Sequence, residues 1–395
     1  MSVGRRVREI RAWRKLTLAE VAGLAGISPG YLSMIERGLR PVGKRAVLEA
    51  LAAALRVAPS ELSGKPFTPS DPASVIAHSG IATLADVLGG WRLDDHPDAP
   101  RRPWEEVRAD VELLNLTLRP GGDDAGQAEL MPSLIRDLLA AAAEAATRRQ
   151  ALAALVTVYH GAGSLASRLG IPGGAMVAAD RVRQAADALD EPVWSGVAEW
   201  SRVHLMSSTN RTRQYELASR AADTITREQP ETVGMVHLTA AFSSAVLGDT
   251  DRAAVHLKEA TAAAKTIDGD LSPWPAGLMH FGRANVDMWR VAIGVEIGEH
   301  GWVHDTARSA RVDVMPATRR AAFWTDYGRA LLADRRSRDQ GISALIRAEK
   351  IAPQQVRANV YAREAVAGVL ASARRDAGGR DLRGLAWRMG IAPGG

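Results

Sequence analysis

The side chains best suited to chemistry in this chain are cations and hydroxyls crowded near its N-terminus. Arg14, Lys15, Thr17, Ser28, Tyr31, Ser33, Arg37, Arg40 and Lys44 fall within one short stretch. Guanidinium, ammonium and hydroxyl donors are what phosphate oxygens and base edges accept. Residues 1–66 hold 12 Lys+Arg against 5 Asp+Glu, and the remainder holds 38 against 40. The net charge of +5 therefore arises entirely from that stretch. A small basic head on a near-neutral body is the charge footprint of a nucleic-acid-binding protein.

Other chemistries are only imitated. Residues 152–166, LAALVTVYHGAGSLA, set Gly161, Gly163 and Ala166 after an apolar run, as a dinucleotide fingerprint does. The flanking Ala-rich helical pattern gives no strand–helix–strand context, so these glycines are read as sites of close helix packing. Leu152 to Tyr159 is weighed as a strand and set aside for the same reason. His300 and His304 stand four apart after Glu296 and Glu299, a zinc-like spacing, but Gly301 lies between them and no third ligand is evident. They are read as a solvated helix end. The carboxylate pairs Asp94-Asp95 and Asp123-Asp124 read as caps and solvated turns. There is no cysteine, no P-loop and no G-x-S-x-G elbow. No enzyme activity, metal or cofactor is expected.

The elements that position the basic side chains are helices. In residues 17–38, TLAEVAGLAGISPGYLSMIERG, Thr17 caps a first helix, Leu18 to Ala25. Gly26 supplies a left-handed turn and Ile27 plugs the gap beneath it. Ser28 caps a second helix, with Pro29 at its first position, where a missing N–H costs nothing. This is a helix-turn-helix, and a helix held at that angle enters the DNA major groove. Further helices are predicted at Val3 to Arg14, about Arg45 to Leu55, and Pro59 to Leu62. Together they make a five-helix head over residues 1–66. The Pro, Gly and Ser of 63–72, SGKPFTPSDP, mark a linker, placed at 67–75.

Residues 76–395 read as almost wholly helical. Ala-rich amphipathic segments alternate with short breakers such as GIPGG (170–174), EQPE (228–231) and GDT (248–250). Two-helix units of this length point to an α-solenoid; a plain all-α bundle is the alternative. No apolar run approaches a membrane span and the N-terminus has no signal-like apolar core, so a cytoplasmic protein without membrane contact is expected.

In the body, two segments gather large hydrogen-bonding and aromatic side chains. Residues 207–220 bring Asn210, Arg213 and Tyr215; residues 281–292, following Trp274, bring Asn285, Trp289 and Arg290. Asn285 and Trp289 share a helical face by i, i+4 spacing. These seven are the candidate ligand-binding residues.

Residues 1–66, with Ile35-Glu36-Arg37-Gly38 after the second motif helix, resemble the lambda-repressor-like, Xre-type DNA-binding domain. The resemblance places Pro29, Gly30, Ser33 and Met34 toward base edges, with Tyr31 on a base or phosphate. Arg14, Lys15, Thr17, Arg37, Arg40 and Lys44 fall to the phosphates, and Ser28 stands at the helix N-terminus. Glu36 is expected to be a structural partner inside the head. Residues 237–265 and 324–353 resemble tetratricopeptide repeats, with Ala241, Ala253, Leu257 and Ala260 in the first and Trp324, Gly328, Leu331, Leu345, Ala348 and Pro353 in the second. The whole chain is similar to actinobacterial regulators with an Xre-type head and a tetratricopeptide body. That implies an all-α, lambda-repressor-like head followed by a solenoid of tetratricopeptide-like helix pairs. It also implies a transcriptional regulator that binds a double-stranded operator as a homodimer and takes a peptide or small-molecule effector on its body. The alternative is an interaction scaffold whose repeats bind a partner protein while the head recruits it to DNA.

Overall fold

A computed structural model describes residues 2–64, 72–95, 102–206, 210–226, 228–272, 274–275, 277–372 and 379–391. The fold is all-α. An isolated antiparallel bridge between Ser272 and Phe281 is its β-type pairing among the described residues. No single helix among them is long and apolar enough to cross a membrane.

Five helices form the head: α1 (Val3–Trp13), α2 (Leu18–Leu24), α3 (Pro29–Glu36), α4 (Arg45–Ala54) and α5 (Pro59–Ser63). Each predicted head helix is present, with ends shifted by no more than a residue or so. Its core joins Val7, Val21, Leu32, Ile35, Leu51 and Leu55, all at or near zero exposure. Gly4 lets α1 lie directly on α3: a Cβ there would sit 1.9 Å from the Ile35 carbonyl oxygen. Most of the predicted linker, up to residue 71, falls outside the described residues. From Pro72 the chain is helical.

The body begins with α6 (Pro72–Gly90) and α7 (Trp104–Leu113). A π-turn, Leu114–Leu118, leads into the short α8 (Arg119–Gly121). There follow α9 (Asp124–Ala142), α10 (Arg148–Leu169), α11 (Gly174–Leu189), α12 (Pro192–Leu205), α13 (Arg211–Thr224), α14 (Pro230–Val246) and α15 (Thr250–Lys265). The C-terminal part adds α16 (Arg283–Ile297), α17 (His300–Ser309), α18 (Ala317–Leu332), α19 (Arg338–Ile351), α20 (Pro353–Arg357), α21 (Val360–Ser372) and α22 (Arg380–Arg388).

Sequential helices pack in pairs, most extensively α10 with α11, α14 with α15 and α18 with α19. The second and third pairs are the two stretches read as repeat units. In the first of these, Ala241, Ala253 and Ala260 are buried where the helices touch. In the second, a Cβ on Gly328 would stand 3.1 Å from the Gly341 carbonyl oxygen, so a small residue sets the helix separation. Residues 152–159 are the middle of α10, not a strand. Gly163 faces Leu205 of α12 there, the close packing its composition predicts.

Candidate nucleic-acid interface and interior cavity

The motif helices are fixed by local signals. Thr17 Oγ1 accepts from the Glu20 N–H at 3.2 Å, while Glu20 Oε2 accepts from the Thr17 N–H at 2.6 Å. This reciprocal box closes the N-terminus of α2. Gly26 has φ +66°, and Ser28 Oγ accepts from the Tyr31 N–H at 3.2 Å to open α3. The chain turns through 110° between the two helices. Leu32 and Ile35 anchor α3 in the core, which leaves Ser28, Pro29 and Gly30 exposed and Tyr31, Ser33 and Met34 half-buried. Lys15, Thr17, Arg37 and Arg40 are exposed at the margin.

Glu36 is spent inside the head. Arg11 grips it with Nε at 2.6 Å and Nη2 at 2.7 Å, and gives Nη1 to the Leu16 carbonyl at 3.0 Å. This two-pronged pair ties α1 to α3. Two of the residues expected at phosphates have other work. Arg14 donates to the Arg56 carbonyl at 3.2 Å and lies beside the Trp13 ring. Lys44 turns to the body, its ammonium beside Gly298.

The head is docked on the body, and the body supplies what the head's own sequence lacks. Ser2 and Lys44 precede α1 and α4, yet neither caps its helix through its side chain. Glu364 of α21 accepts from the Val3 N–H at 3.0 Å and from the Val42 N–H at 3.4 Å. Glu296 of α16 accepts from the Arg45 N–H at 2.9 Å. Two helix N-termini of the head are therefore capped by carboxylates of the body, where a negative charge suits the positive end of the helix.

Glu296 also pairs with the Arg45 guanidinium at 2.5 Å and with Arg329 of α18 at 3.1 Å. Burial pushes the Glu296 carboxyl up, but the two guanidiniums and the backbone donor outweigh it and hold it below the usual carboxylate range. Arg329 reaches further, to the Gly43 carbonyl, at 2.6 Å. Tyr361 lies under both arginines, 4.6 Å from Arg45 and 4.9 Å from Arg329. A second bridge joins Arg211 to Glu49 of α4 at 2.9 Å.

A cavity of about 330 Å³ opens in the body between α8, α10, α12, α16 and α18. Its charged wall groups are Arg119, Arg168 and Arg319, joined by His160, His204 and His280; no carboxylate lines it among the described residues. Arg168 is paired with buried Asp124 at 2.7 Å. Asp124 is thus an internal ion-pair partner, a correction to its reading as a solvated turn; Asp123 does cap α9, accepting from the Gly126 N–H.

Among the described residues, the hydrogen-bond partners of Arg119 and Arg319 are neutral. Arg119 donates to Asn115 Oδ1 at 2.8 Å, and Arg319 donates to Asn285 Oδ1 at 2.7 Å while lying over Trp289. Burial lowers both guanidiniums to about 10. Burial, then nearby cations, also drops His204 and His280 to about 4. His160 stacks on Trp200 at 4.4 Å and shares a hydrogen bond with Ser201 at 2.9 Å.

The seven expected ligand residues fall in several surroundings, with α14 packed against both α13 and α16. Asn285 and Trp289 line the cavity. Asn210 caps α13, accepting from the Arg213 N–H at 2.9 Å, and Arg213 pairs with Glu216 on the surface. Tyr215 meets His256 edge-on, and Trp274 packs near Trp194. Arg290 reaches Thr261 of α15 at 3.1 Å. Of the zinc-like set, Glu296 serves the head and His304 Nδ1 shares a hydrogen bond with the Tyr327 hydroxyl at 2.8 Å. No three His, Asp or Glu side chains converge as metal ligands among the described residues.

Sequence reasoning missed Glu296, Glu364, Arg329, Arg119 and Arg319. A signal existed for the two glutamates. Glu296 sits between Val295 and Ile297, and Glu364 stands just before the uncharged run 365–372 of α21, so each is a charge beside an apolar stretch.

Two helices span both regions. On α16, Asn285 and Trp289 face the cavity and Glu296 holds the head; on α18, Arg319 faces the cavity and Arg329 holds the head. Trp289 also meets Phe242 edge-on at 5.6 Å, and Arg45 of the head lies 4.9 Å from the Phe242 ring.

Residues 2–63 match the model of the helix-turn-helix domain family. Over 54 residues the chain is 44% identical to the uncharacterized HTH-type transcriptional regulator RghRB of Bacillus subtilis (strain 168), a match covering 14% of this chain and 39% of that protein. The chain thus spans about two fifths of the length of the curated relative it matches. No solved structure matches it. The N-terminal head is a helix-turn-helix domain, and over it this chain is similar to a transcriptional regulator.

Proposed function

We propose that this protein is a sequence-specific transcriptional regulator, with an Xre-type head that binds a double-stranded operator and a tetratricopeptide-type body that dimerises and takes a small-molecule effector. One observation carries the reading. The exposed face of α3 stays open while α1 and α4 are clamped to the body by Glu364 and Glu296. The head is thus presented to DNA from a platform that also encloses a cavity. We read the protein as a cytoplasmic binding protein rather than an enzyme.

On this reading, two copies meet a pseudo-palindromic site, since one small head covers too little DNA for strong specificity. The reading edge is sparing in donors, with Pro29, Gly30 and Met34 beside Ser33, so DNA shape carries much of the selectivity. Effector binding shifts the balance between head placements that fit the two half-sites and those that do not.

The test is the salt dependence of operator binding. Arg37→Ala with Arg40→Ala weakens binding to all sequences and lowers the salt slope by about two units, one per phosphate contact. An unchanged slope refutes the phosphate assignment. A purified protein that is monomeric yet protects a full two-half-site operator refutes the dimer.

A further inference from the structure

The body cavity concentrates positive charge without neutralising it. Among the described residues, two of its three guanidiniums, Arg119 and Arg319, are held by the side-chain oxygens of Asn115 and Asn285 and by no carboxylate. Asp326, the carboxylate that bears on Arg319, is itself tied to Arg329 at 2.6 Å. Arg119 and Arg319 are half-buried, and cations withdrawn from water without a carboxylate are costly, so folds normally pair them. Both guanidiniums line the same cavity, together with His280.

The wall residues also hold buried polar atoms with no partner among the described residues: Arg319 Nε, Trp289 Nε1, Trp200 Nε1 and Gln127 Oε1. Three of these four are donors, which matches an acceptor-rich guest. Trp200, Trp289, Met235 and Leu205 add apolar wall, beside the hydroxyls of Ser164, Ser167 and Thr318. The volume of about 330 Å³ suits a small molecule rather than a folded or extended peptide chain.

We propose that this cavity binds a small organic oxyanion, a carboxylate or phosphate on a compact planar or apolar frame, with the anionic group between Arg119 and Arg319 and the frame against Trp200 and Trp289. The proposal rests on the reading of the body as an effector-binding module and names the class of effector. Guanidinium pairs are the usual partners of planar carboxylates and of phosphates, because their N–H groups match two oxygens at once. The three imidazoles are neutral and supply further hydrogen bonds without competing charge.

The experiment is calorimetric titration of the full chain with phenyl phosphate, with benzoate and, as the neutral control, with benzyl alcohol. Saturable one-site binding of at least one anion is expected, at least about tenfold tighter than benzyl alcohol. Arg119→Gln and Arg319→Gln each reduce that affinity about tenfold or more while the head still binds operator DNA. Ala322→Phe, which fills the cavity and leaves both guanidiniums in place, removes anion binding as well; it guards against a fold defect in the charge variants. The proposal is overturned if neither anion binds saturably, if benzyl alcohol binds as well, or if all three variants bind the anions unchanged. Phenyl phosphate tighter than benzoate assigns the guest to phosphates, and the reverse order to carboxylates. Operator affinity measured with the anion present separates the two readings. Anion binding that leaves it unchanged upholds the site and refutes its regulatory role. Operator binding without anion binding refutes the site and leaves the DNA-binding head standing.

Discussion

Glu296 gives one carboxylate oxygen to the Arg45 guanidinium at 2.5 Å and the other to the Arg45 backbone N–H at 2.9 Å. One side chain of the body is thus both the ion-pair partner and the helix cap of a head residue 251 positions away. With Arg329 as a second cation, the arrangement is a buried triad on the seam between the two parts. Such a triad gives position more than stability: burying three charges costs nearly what their attraction returns, but removing one leaves the others stranded.

Glu296→Gln therefore destabilises the protein by about 3–5 kcal/mol, the usual penalty for breaking a buried pair from one side. Chemical unfolding of wild type and variant measures it. Replacing Glu296 with Leu together with Arg45→Met, Arg329→Leu and Asp326→Asn removes the three charges and the carboxylate paired with Arg329, and recovers much of that loss. If this quadruple variant is as unstable as Glu296→Gln, the stranded-charge account is wrong.

Glu364→Ala leaves the Val3 and Val42 N–H groups without an acceptor at a buried seam. Each orphaned donor costs roughly 1–3 kcal/mol. Hydrogen exchange localises the effect. The amides of Val3 and Val42 exchange faster, whereas that of Leu32, bonded within α3, is little changed. Uniform acceleration through the head would mean that Glu364 supports the global fold instead of capping α1.

How far the sequence could be read follows from the range of each interaction. Thr17 with Glu20, and Ser28 with Tyr31, act three residues apart, so the head helices and their starts were legible. The helix pairs were legible too, because Ala241, Ala253 and Ala260 recur at contact positions. Within the cavity, Asn285 and Trp289 could be joined because one helix carries both. Arg119, His160, His204 and Arg319 come from four different helices, and no spacing announces that they meet. The caps from Glu296 and Glu364 were illegible for the same reason. Spacing says equally little of how residues 207–220 and 281–292 lie to one another, because their helices are separated in sequence and α14 packs against both.

Gly4→Ala tests the seat of α1. The added methyl would stand 1.9 Å from the Ile35 carbonyl oxygen, a backbone atom that no rotamer change can move. The helix must shift away from α3, straining the Arg11–Glu36 grip and the Val3 contact with Glu364 together. A loss of several kcal/mol is expected, at the upper end for single substitutions. Gly30→Ala, at an exposed position with open space around it, is the control and changes stability by less than about 0.5 kcal/mol. Equal melting temperatures for the two variants would refute the close approach of α1 and α3.

The imidazoles of the cavity make the fold sensitive to mild acid. Burial, and then Arg319, lowers His204 from 6.5 to about 4; burial, and then Arg119 and Arg319, does the same to His280. In the unfolded chain both take up a proton near pH 6.5, whereas in the folded chain they do so only near pH 4. Between those values the unfolded chain holds more protons, so stability rises with pH there. Stability present above pH 6.5 is lost as the pH falls toward 4, by roughly 3 kcal/mol for each imidazole. Denaturant unfolding across this window measures the slope. His204→Asn flattens it by its own share. Arg319→Gln also flattens it, because without that cation His204 and His280 protonate at a higher pH in the folded state. A slope that neither substitution changes would mean that the acid sensitivity arises elsewhere in the molecule.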